Sequence, residues 1–217
     1  MTDAVVFDLD GVLLESEQVW NQAKQELVAE RGGRWSERAP RDMMGMSSPE
    51  WSAYLRDELG VPWEADRINR EVVRRMQVGY AEGLPLLPGA LECVRALAER
   101  WPLGLASSSN RELIDLFLDV GGVRDLFRAT VSSEEVARGK PAPDVYLAAA
   151  EAVGADPGTC VAIEDSENGM RAAHAAGMAI VAVPNPHYPP DGEALTLAAA
   201  TVRVPGEITP ELVERVA

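Results

Sequence analysis

The sequence is poor in cysteine and has no long apolar run. Two cysteines among 217 residues, Cys93 and Cys160, are too few for a disulfide framework and are read as small buried apolar residues. No apolar stretch approaches the roughly 20 residues that a transmembrane helix needs. The residues that follow Met1 also lack the basic and then apolar pattern of a signal peptide. We therefore expect a cytoplasmic protein.

Positive charge is also scarce. The 20 Lys and Arg residues stand against 35 Asp and Glu residues, so the formal net charge is −15. Nucleic-acid-binding proteins need clustered Lys and Arg, and membrane-surface proteins need a basic amphipathic face. We therefore expect no nucleic-acid partner and no membrane partner. For the quaternary state we expect a monomer or a weak homodimer.

Short apolar runs alternate with helical patterns over most of the chain. Such runs are typical of buried parallel strands, and apolar residues spaced by three and four between them predict helices. The alternation predicts an α/β fold, with a Rossmann-like parallel sheet covered on both faces. The predicted strands are residues 4–7, 103–106, 129–131, 160–163 and 178–183, and the predicted helices are residues 90–100, 111–120, 144–153 and 169–176.

The stretch between the first two strands breaks this alternation, because it contains no convincing strand. It contains three predicted helices instead: residues 16–31, a helix with Ser48 as its N-cap, and residues 67–81. We therefore expect an all-helical cap domain inserted into an α/β core. The predicted domains are a core of residues 1–14 and 86–217 and a cap of residues 15–85.

Polar side chains follow the predicted strands at the points where these strands end. Ligands bind beyond the carboxyl ends of the strands in open α/β sheets, so we expect these side chains to share one crevice. The residues are Asp8 and Asp10 after the first strand, Ser107, Ser108 and Ser109 after the second, and Glu164 and Asp165 after the fourth, with Lys140 just before a helix.

This set of residues suits phosphoryl transfer assisted by a metal ion. Four carboxylates in one crevice repel one another unless a cation is present, and a ligand set made only of oxygen suits Mg²⁺. One of Asp8 and Asp10 can act as nucleophile and the other as proton donor. The Ser107 hydroxyl can hold phosphoryl oxygens, and Lys140 can neutralise charge at the transferring group. The implied reaction proceeds through an aspartyl-phosphate.

These residues also have a structural interpretation. Ser107 can help to cap the helix that follows it, and Glu164 and Asp165 can cap the next helix, where acidic side chains suit the positive end of the dipole. A lone Gly-Lys-Pro segment around Lys140 is typical of a surface turn. The combination at several strand ends favours the catalytic interpretation.

Four segments of the chain resemble, in order, the four motifs of the haloacid dehalogenase (HAD) superfamily. They are residues 8–13 (Asp-Leu-Asp-Gly-Val-Leu), Ser107 at the end of the second strand, residues 139–144 (Gly-Lys-Pro-Ala-Pro-Asp) and residues 163–169 (Ile-Glu-Asp-Ser-Glu-Asn-Gly). The helical insertion resembles the cap of the β-phosphoglucomutase-like, phosphoglycolate-phosphatase-like subgroup. The resemblance implies the HAD fold with a helical cap and Mg²⁺ as cofactor.

The resemblance also implies a role for each site residue. Asp8 would be the nucleophile, with a side-chain oxygen on Mg²⁺. Asp10 would be the general acid and then the general base, with its backbone carbonyl on the metal. Asp165 would be a metal ligand, and Glu164 a ligand either directly or through water. The phosphoryl group would be bound by Ser107, Ser108 and Lys140.

Departures from the β-phosphoglucomutase pattern favour hydrolysis. Trp20 stands where those mutases carry a cap His, residues 44–48 lack the Lys and the Arg of a cap Lys-Gly-x-Ser-Arg sequence, and Asn110 replaces a core Lys. Lys24, in mid-helix, is not a match for the Schiff-base lysine of phosphonate-cleaving members. We therefore expect a phosphatase of a small phosphorylated metabolite, such as a sugar phosphate. The alternatives are a β-phosphoglucomutase-like mutase and, further away, a response-regulator-like phosphoacceptor module.

The predicted cap has an apolar face towards the crevice. Trp20, Met44, Met46 and Trp51 form this face, although such residues are also typical of a cap core. Our hypothesis is that the substrate has an apolar or weakly polar portion, or that the cap only excludes water. His187 lies in a proline-rich loop near a strand end and is a candidate for the rim of the site.

Overall fold

The computed structural model describes residues 1–43, 46–186 and 189–216. In this part of the chain, six parallel strands form one sheet in the order β3-β2-β1-β4-β5-β6. The strands are β1 (Ala4–Phe7), β2 (Leu103–Ser107), β3 (Phe127–Ser132), β4 (Cys160–Glu164), β5 (Ala179–Ala182) and β6 (Ala200–Thr201). Because β1 pairs with both β2 and β4, the carboxyl ends of these three strands are neighbours.

Helices cover the sheet and form the insertion between β1 and β2. The helices are α1 (Glu17–Glu30), α2 (Ala39–Asp42), α3 (Ser48–Asp57), α4 (Ala65–Glu82), α5 (Ala90–Ala98), α6 (Arg111–Val120), α7 (Asp144–Val153), α8 (Glu167–Ala175), α9 (Gly192–Leu195) and α10 (Pro210–Val216). The predicted α/β fold with a parallel sheet and an inserted helical cap is confirmed. No helix among the described ranges has both the length and the apolar character to cross a bilayer.

The strands differ from their predicted bounds mainly at the sheet edges. β3 is longer than predicted, and β5 is shorter. β6 was not predicted at all: it has two residues, and it pairs with β5 through Val181 opposite Ala200 and Ala182 opposite Thr201. Thr201 is exposed, so no apolar run marks this strand in the sequence. Its existence depends on the neighbouring strand.

The central strand explains why its sequence is an unbroken apolar run. Successive side chains of a strand point to opposite faces of the sheet. Val5 and Phe7 belong to an apolar cluster that includes α5 and α6, whereas Ala4 and Val6 belong to a second cluster with α7 and α8. All four side chains are fully buried. β1 is therefore packed on both faces, as expected for a parallel sheet.

The helices of the insertion pack on one another, and their buried apolar residues belong to the same cluster as Val5 and Phe7 of β1. α4 packs against α1 and α3, and it also contacts α6 of the sheet domain.

The start of α3 differs from the prediction, since Ser47 and not Ser48 is its N-cap. The reason is Glu50, whose carboxylate accepts a hydrogen bond from the backbone N–H of Ser47 at 2.7 Å. Ser48 is instead buried in the first turn.

The two chain segments that connect the insertion to the sheet run side by side. The N–H of Glu15 donates to the carbonyl of Pro85 at 2.7 Å, and the N–H of Leu87 donates to the carbonyl of Leu13 at 3.0 Å. These bonds lie at the predicted junctions between core and cap. The insertion therefore enters and leaves next to the end of β1, directly beside Asp8 and Asp10.

Candidate active site

Lys140 joins the ends of β1 and β4. Asp8 follows β1, and its N–H donates to the carbonyl of Ile163 at 3.0 Å. The Lys140 ammonium donates to Oδ1 of Asp8 at 2.7 Å and to Oε1 of Glu164 at 2.6 Å. All three side chains are buried. Burial by itself lowers the pKa of Lys140, but the two carboxylates outweigh it and raise this pKa, so the ammonium stays charged.

The carboxylate of Glu164 is saturated with hydrogen-bond donors. Its Oε1 accepts from Lys140 and from the Tyr146 hydroxyl at 2.9 Å. Its Oε2 accepts from the N–H of Asp165 at 2.9 Å and from the N–H and the hydroxyl of Ser166, both at 3.0 Å. A carboxylate has about four lone-pair positions. Protein donors therefore occupy the acceptor capacity of Glu164, and Glu164 in turn holds Lys140 in place.

Three buried carboxylates lie close enough to share a cation. Asp8, Glu164 and Asp165 each offer an oxygen, and these oxygens lie within 4.8 Å of one another. Burial raises the pKa of Asp165 well above its usual range, and the charges of Glu164 and Asp8 raise it further. Burial also raises the pKa of Asp8, against the effect of Lys140. A hard divalent cation would relieve this repulsion, so the residues fit Mg²⁺.

Two glycines make room for these carboxylates. Gly11 has a φ of +82°, and a Cβ on it would overlap the carboxylate of Asp165. A Cβ on Gly169 would overlap the carboxylate of Glu164. Sequence reasoning did not assign a role to either glycine. Their position inside two of the four motifs is the signal that points to them.

The carboxylate of Asp10 lies apart from this cluster. Its Oδ1 accepts hydrogen bonds from the Ser16 hydroxyl and from Nε1 of Trp20, the latter at 3.3 Å. Its Oδ2 accepts from the Ser109 hydroxyl. Asp10 is therefore held by one residue of the sheet domain and two residues from the start of the insertion. Ser16 was not predicted as a site residue, and Ser109 was predicted to share the crevice without an assigned role.

The predicted phosphate-binding serines differ in position. Ser108 and Ser109 line the cavity described below. Ser107 is not among the described residues that line it. Ser107 is fully buried, and its Oγ accepts a hydrogen bond from the N–H of Ser109 at 3.0 Å. The helix-capping interpretations do not hold, because Asn110 is the N-cap of α6 and Ser166 is the N-cap of α8.

Asn110 connects the sheet domain to the cap. Its Oδ1 accepts from the hydroxyl of Ser48 at 2.9 Å, and its Nδ2 donates to Asn69 at 3.2 Å and to Glu134 at 2.7 Å. Ser48 and Asn69 belong to α3 and α4, and Asn110 is buried. Asn110, which stands where the mutase pattern has a Lys, therefore holds the sheet domain and the cap together.

A cavity that is partly open to solvent lies between the site and the insertion. From the sheet domain it is lined by Asp8, Asp10, Ser108, Ser109, Lys140, Asp165 and Ser166. From the insertion it is lined by Glu17, Trp20, Asn21, Lys24, Pro40, Met43, Met46 and Trp51. Five of the seven predicted site residues therefore face one space: Asp8, Asp10, Ser108, Lys140 and Asp165. The other two, Ser107 and Glu164, are buried behind it.

The prediction of an apolar cap face is wrong in part. Trp20, Trp51 and Met46 do line the cavity, and the two indole rings pack edge to face with centroids 5.8 Å apart. Lys24 lies on the same wall, however, with its Nζ 5.0 Å and 4.8 Å from the centroids of Trp20 and Trp51. Burial lowers the pKa of Lys24 to about 8, although Glu17 and Asp10 oppose this effect. The predictions for Met44 and His187 lie outside the described residues.

The chain is similar in sequence and in fold to known proteins. A family model described as a haloacid dehalogenase-like hydrolase matches residues 2–177. The chain is 38% identical over 189 residues to hexitol phosphatase B of Escherichia coli (strain K12), with 84% of each chain covered. It is 33% identical over 184 residues to a fructose-1-phosphate phosphatase of the same strain, covering 82% of this chain and 95% of that protein. The crystal structure of CbbY from Rhodobacter sphaeroides in complex with phosphate has a TM-score of 0.87 at 26% identity, covering 99% of this chain and 100% of that one.

Proposed function

The chain belongs to the haloacid dehalogenase-like hydrolase family and is an enzyme of its phosphatase class, and we propose that it hydrolyses the phosphate ester of a small sugar or polyol with the help of Mg²⁺. The observation that carries the proposal is the setting of Asp8. This carboxylate is buried at the end of β1, bonded to Lys140, close to Asp165, and faces the cavity. The hexitol and fructose-1-phosphate phosphatases support the substrate class.

We assign the metal site to Asp8 and Asp165, with the backbone carbonyl of Asp10 as a further ligand. The closeness of the two carboxylates and their raised pKa values support this assignment. When bound, Mg²⁺ would neutralise negative charge on the phosphoryl oxygens. We assign Glu164 a positioning role, with any contact to the metal through water, because protein donors already occupy its oxygens.

In the proposed reaction, a carboxylate oxygen of Asp8 attacks the phosphorus atom. The bond between phosphorus and the ester oxygen breaks, and the phosphoryl group moves to Asp8 as an aspartyl-phosphate. Asp10 gives a proton to the departing oxygen and then takes a proton from the water that attacks the intermediate. Inorganic phosphate leaves, and both aspartates return to their starting forms. Lys140 keeps Asp8 in place and neutralises charge at the phosphoryl group.

The hydrogen bonds of Asp10 support its role as acid and base. The side chains of Ser16, Trp20 and Ser109 hold its carboxyl group at the cavity. It stands outside the cluster formed by Asp8, Glu164 and Asp165. Two carboxyl groups in different settings are what the two roles of nucleophile and proton donor require.

One position of the cap and one position of the sheet domain support hydrolysis over phosphate transfer within a sugar. Trp20 bonds to Asp10 and packs on Trp51, and Asn110 bonds to Ser48 and Asn69. Neither position presents a cation that would anchor a second phosphate group. A mutase needs such an anchor while its substrate turns round in the site.

The test is the substitution Asp8→Asn, which keeps the size of the side chain and removes the nucleophilic oxygen. We expect loss of p-nitrophenyl phosphate hydrolysis in a protein with an unchanged circular dichroism spectrum. The matched control is Asp3→Asn, since Asp3 is exposed and should give wild-type turnover. Chelation of divalent cations should also abolish turnover, and Mg²⁺ should restore it. Wild-type turnover in Asp8→Asn, or turnover that persists in excess chelator, would overturn the assignment.

A further inference from the structure

Three polar side chains of α1 share one face and the same cavity. Glu17, Asn21 and Lys24 are spaced by four and three residues, which places them on one side of a helix. All three line the same cavity as Lys140 and Asp8. They offer a carboxylate, a carboxamide and an ammonium group. This set contains both donors and acceptors of hydrogen bonds.

None of these three groups has a hydrogen-bond partner within the described ranges, 1–43, 46–186 and 189–216. The clearest case is Lys24, which is only 7% exposed and makes no ion pair within those ranges. A buried ammonium without an acceptor is costly, and the two indole rings compensate only in part. The Lys24 ammonium is therefore free to bind an acceptor, and a ligand in the cavity that it lines can supply one.

The charges on this wall favour a neutral ligand over a second anion. Lys24 is the cation of the wall, and the carboxylates of Glu17 and Asp10 both act on it electrostatically. A further carboxylate or phosphate on the ligand would meet these two acids as well as the ammonium. Hydroxyl groups both donate and accept, so they satisfy Glu17, Asn21 and Lys24 without adding charge.

Trp20 connects Lys24 to Asp10. Its Nε1 donates to Oδ1 of Asp10 at 3.3 Å, and the centroid of its ring lies 5.0 Å from the Lys24 Nζ. The indole faces of Trp20 and Trp51 also give the C–H groups of a sugar or polyol an apolar surface to lie against.

We infer that Glu17, Asn21 and Lys24 are the specificity residues of this enzyme: they bind the hydroxyl groups of the departing alcohol, and they select phosphate esters of neutral polyols or sugars over esters that carry a second anionic group. This inference rests on the proposed function, because it concerns the alcohol part of the substrate of the same site.

The experiment compares substrates that differ at one end only. Sorbitol 6-phosphate and 6-phosphogluconate differ in a hydroxymethyl group against a carboxylate, and glycerol 3-phosphate and 3-phosphoglycerate form a shorter pair of the same kind. Fructose 1-phosphate against fructose 1,6-bisphosphate tests a second phosphate. p-Nitrophenyl phosphate reports the chemical step without hydroxyl groups. The wild-type enzyme should favour the neutral member of each pair by at least about tenfold in kcat/KM.

The variants are Lys24→Met and Asn21→Ala, with Gln25→Ala as the matched control. Gln25 is exposed on the same helix. We expect Lys24→Met to lower kcat/KM for the neutral esters by about 10- to 100-fold, mostly through KM, because it removes a hydrogen bond with a charged donor. Asn21→Ala removes hydrogen bonds between neutral groups, so we expect a smaller loss of about 3- to 10-fold. Hydrolysis of p-nitrophenyl phosphate should change by less than about threefold, and Gln25→Ala should change nothing.

Several results would overturn the inference. A wild-type preference for the carboxylate or bisphosphate members that Lys24→Met removes would make Lys24 an anion site. An equal loss on all substrates, including p-nitrophenyl phosphate, would make the role structural. Unchanged kinetics would remove the role altogether. If Lys24→Met does not fold, Asn21→Ala decides, since Asn21 is only half-buried. Failure of the proposed function looks different, because the wild-type enzyme would then not hydrolyse p-nitrophenyl phosphate.

Discussion

Two buried lysines line the cavity, one from the sheet domain and one from the cap, and they differ in what surrounds them. Lys140, in the sheet domain, and Lys24, in the cap, are each 7% exposed. Lys140 is bonded to Asp8 and Glu164 at 2.7 and 2.6 Å, and its pKa is raised. Lys24 has two indole rings around it, and its pKa is lowered to about 8. Equal burial therefore gives opposite results, depending on the partners.

The comparison separates two uses of a buried charge. The ammonium of Lys140 is satisfied before any substrate arrives, so it is a fixed part of the catalytic geometry. The ammonium of Lys24 is left without an ion pair in the described chain, so its free energy depends on what enters the cavity. This difference agrees with our proposal that the sheet domain carries out the chemical step and that the cap selects the substrate.

The largest expected effect comes from removing the satisfied lysine. Lys140→Met leaves Asp8 and Glu164 as buried charges without their shared partner, so we expect a loss of about 3–5 kcal/mol in the free energy of unfolding. Turnover of p-nitrophenyl phosphate should fall by about 10³-fold. Urea unfolding and steady-state kinetics measure the two effects. Lys24→Met is the control, because Lys24 is as deeply buried as Lys140. If both variants lose the same fraction of p-nitrophenyl phosphate hydrolysis, the two lysines do not differ in the way we propose.

A glycine pair tests how tightly the metal-binding side is packed. Gly11→Ala forces a Cβ into the Asp165 carboxylate, and we expect about 100-fold lower turnover and weaker apparent Mg²⁺ affinity. Gly122→Ala is the control, because Gly122 has a φ of +62° and open space around its Cβ position. It should cost only about 1 kcal/mol of stability through backbone strain and leave turnover unchanged. Equal turnover in both variants would show that Asp165 does not need this space.

A smaller effect is expected where the two parts of the molecule are joined. Asn110→Ala removes the bonds to Ser48, Asn69 and Glu134, and we expect about 1–3 kcal/mol lower stability. It should also lower kcat/KM by about tenfold, because the cap wall is then held less firmly over the site. Urea unfolding and substrate titration measure both. A variant with wild-type kinetics would mean that other contacts hold the cap.

The smallest expected effect is a difference in pH dependence. Burial lowers the pKa of Lys24 from 10.5 to about 8, so between these values the unfolded chain binds more protons than the folded one. Stability linked to Lys24 therefore rises with pH in this window, by about 1–3 kcal/mol. The difference in free energy of unfolding, wild type minus Lys24→Met, should be larger at pH 10 than at pH 7.5. A constant difference would mean that Lys24 is not shifted.

Most of the catalytic side of the cavity is predictable from the sequence. Asp8, Glu164 and Asp165 come directly after unbroken apolar runs, and the structure brings them together with Lys140. Such runs and the turns after them are encoded in a few neighbouring residues. The partners of Asp10 are not encoded in this way, because Trp20 and Ser109 reach it from two different parts of the fold.

The cap side shows where sequence reasoning stops. Glu17, Asn21 and Lys24 have the spacing of one helix face, but periodicity does not say whether that face meets solvent or a cavity. The edge strand β6 was missed for a related reason, since only pairing with β5 makes it a strand.

Neighbouring residues in the sequence thus determine the apolar strands, the helices of the cap and the residue types that the proposed reaction needs. Contacts between distant segments set the rest: Lys140 meets Asp8 across 132 positions, and Ser48 meets Asn110 across 62. Whether a buried charge is satisfied depends on such contacts, because the free energy of a charge is set by what surrounds it in space. For that reason two equally buried lysines have pKa values that are shifted in opposite directions.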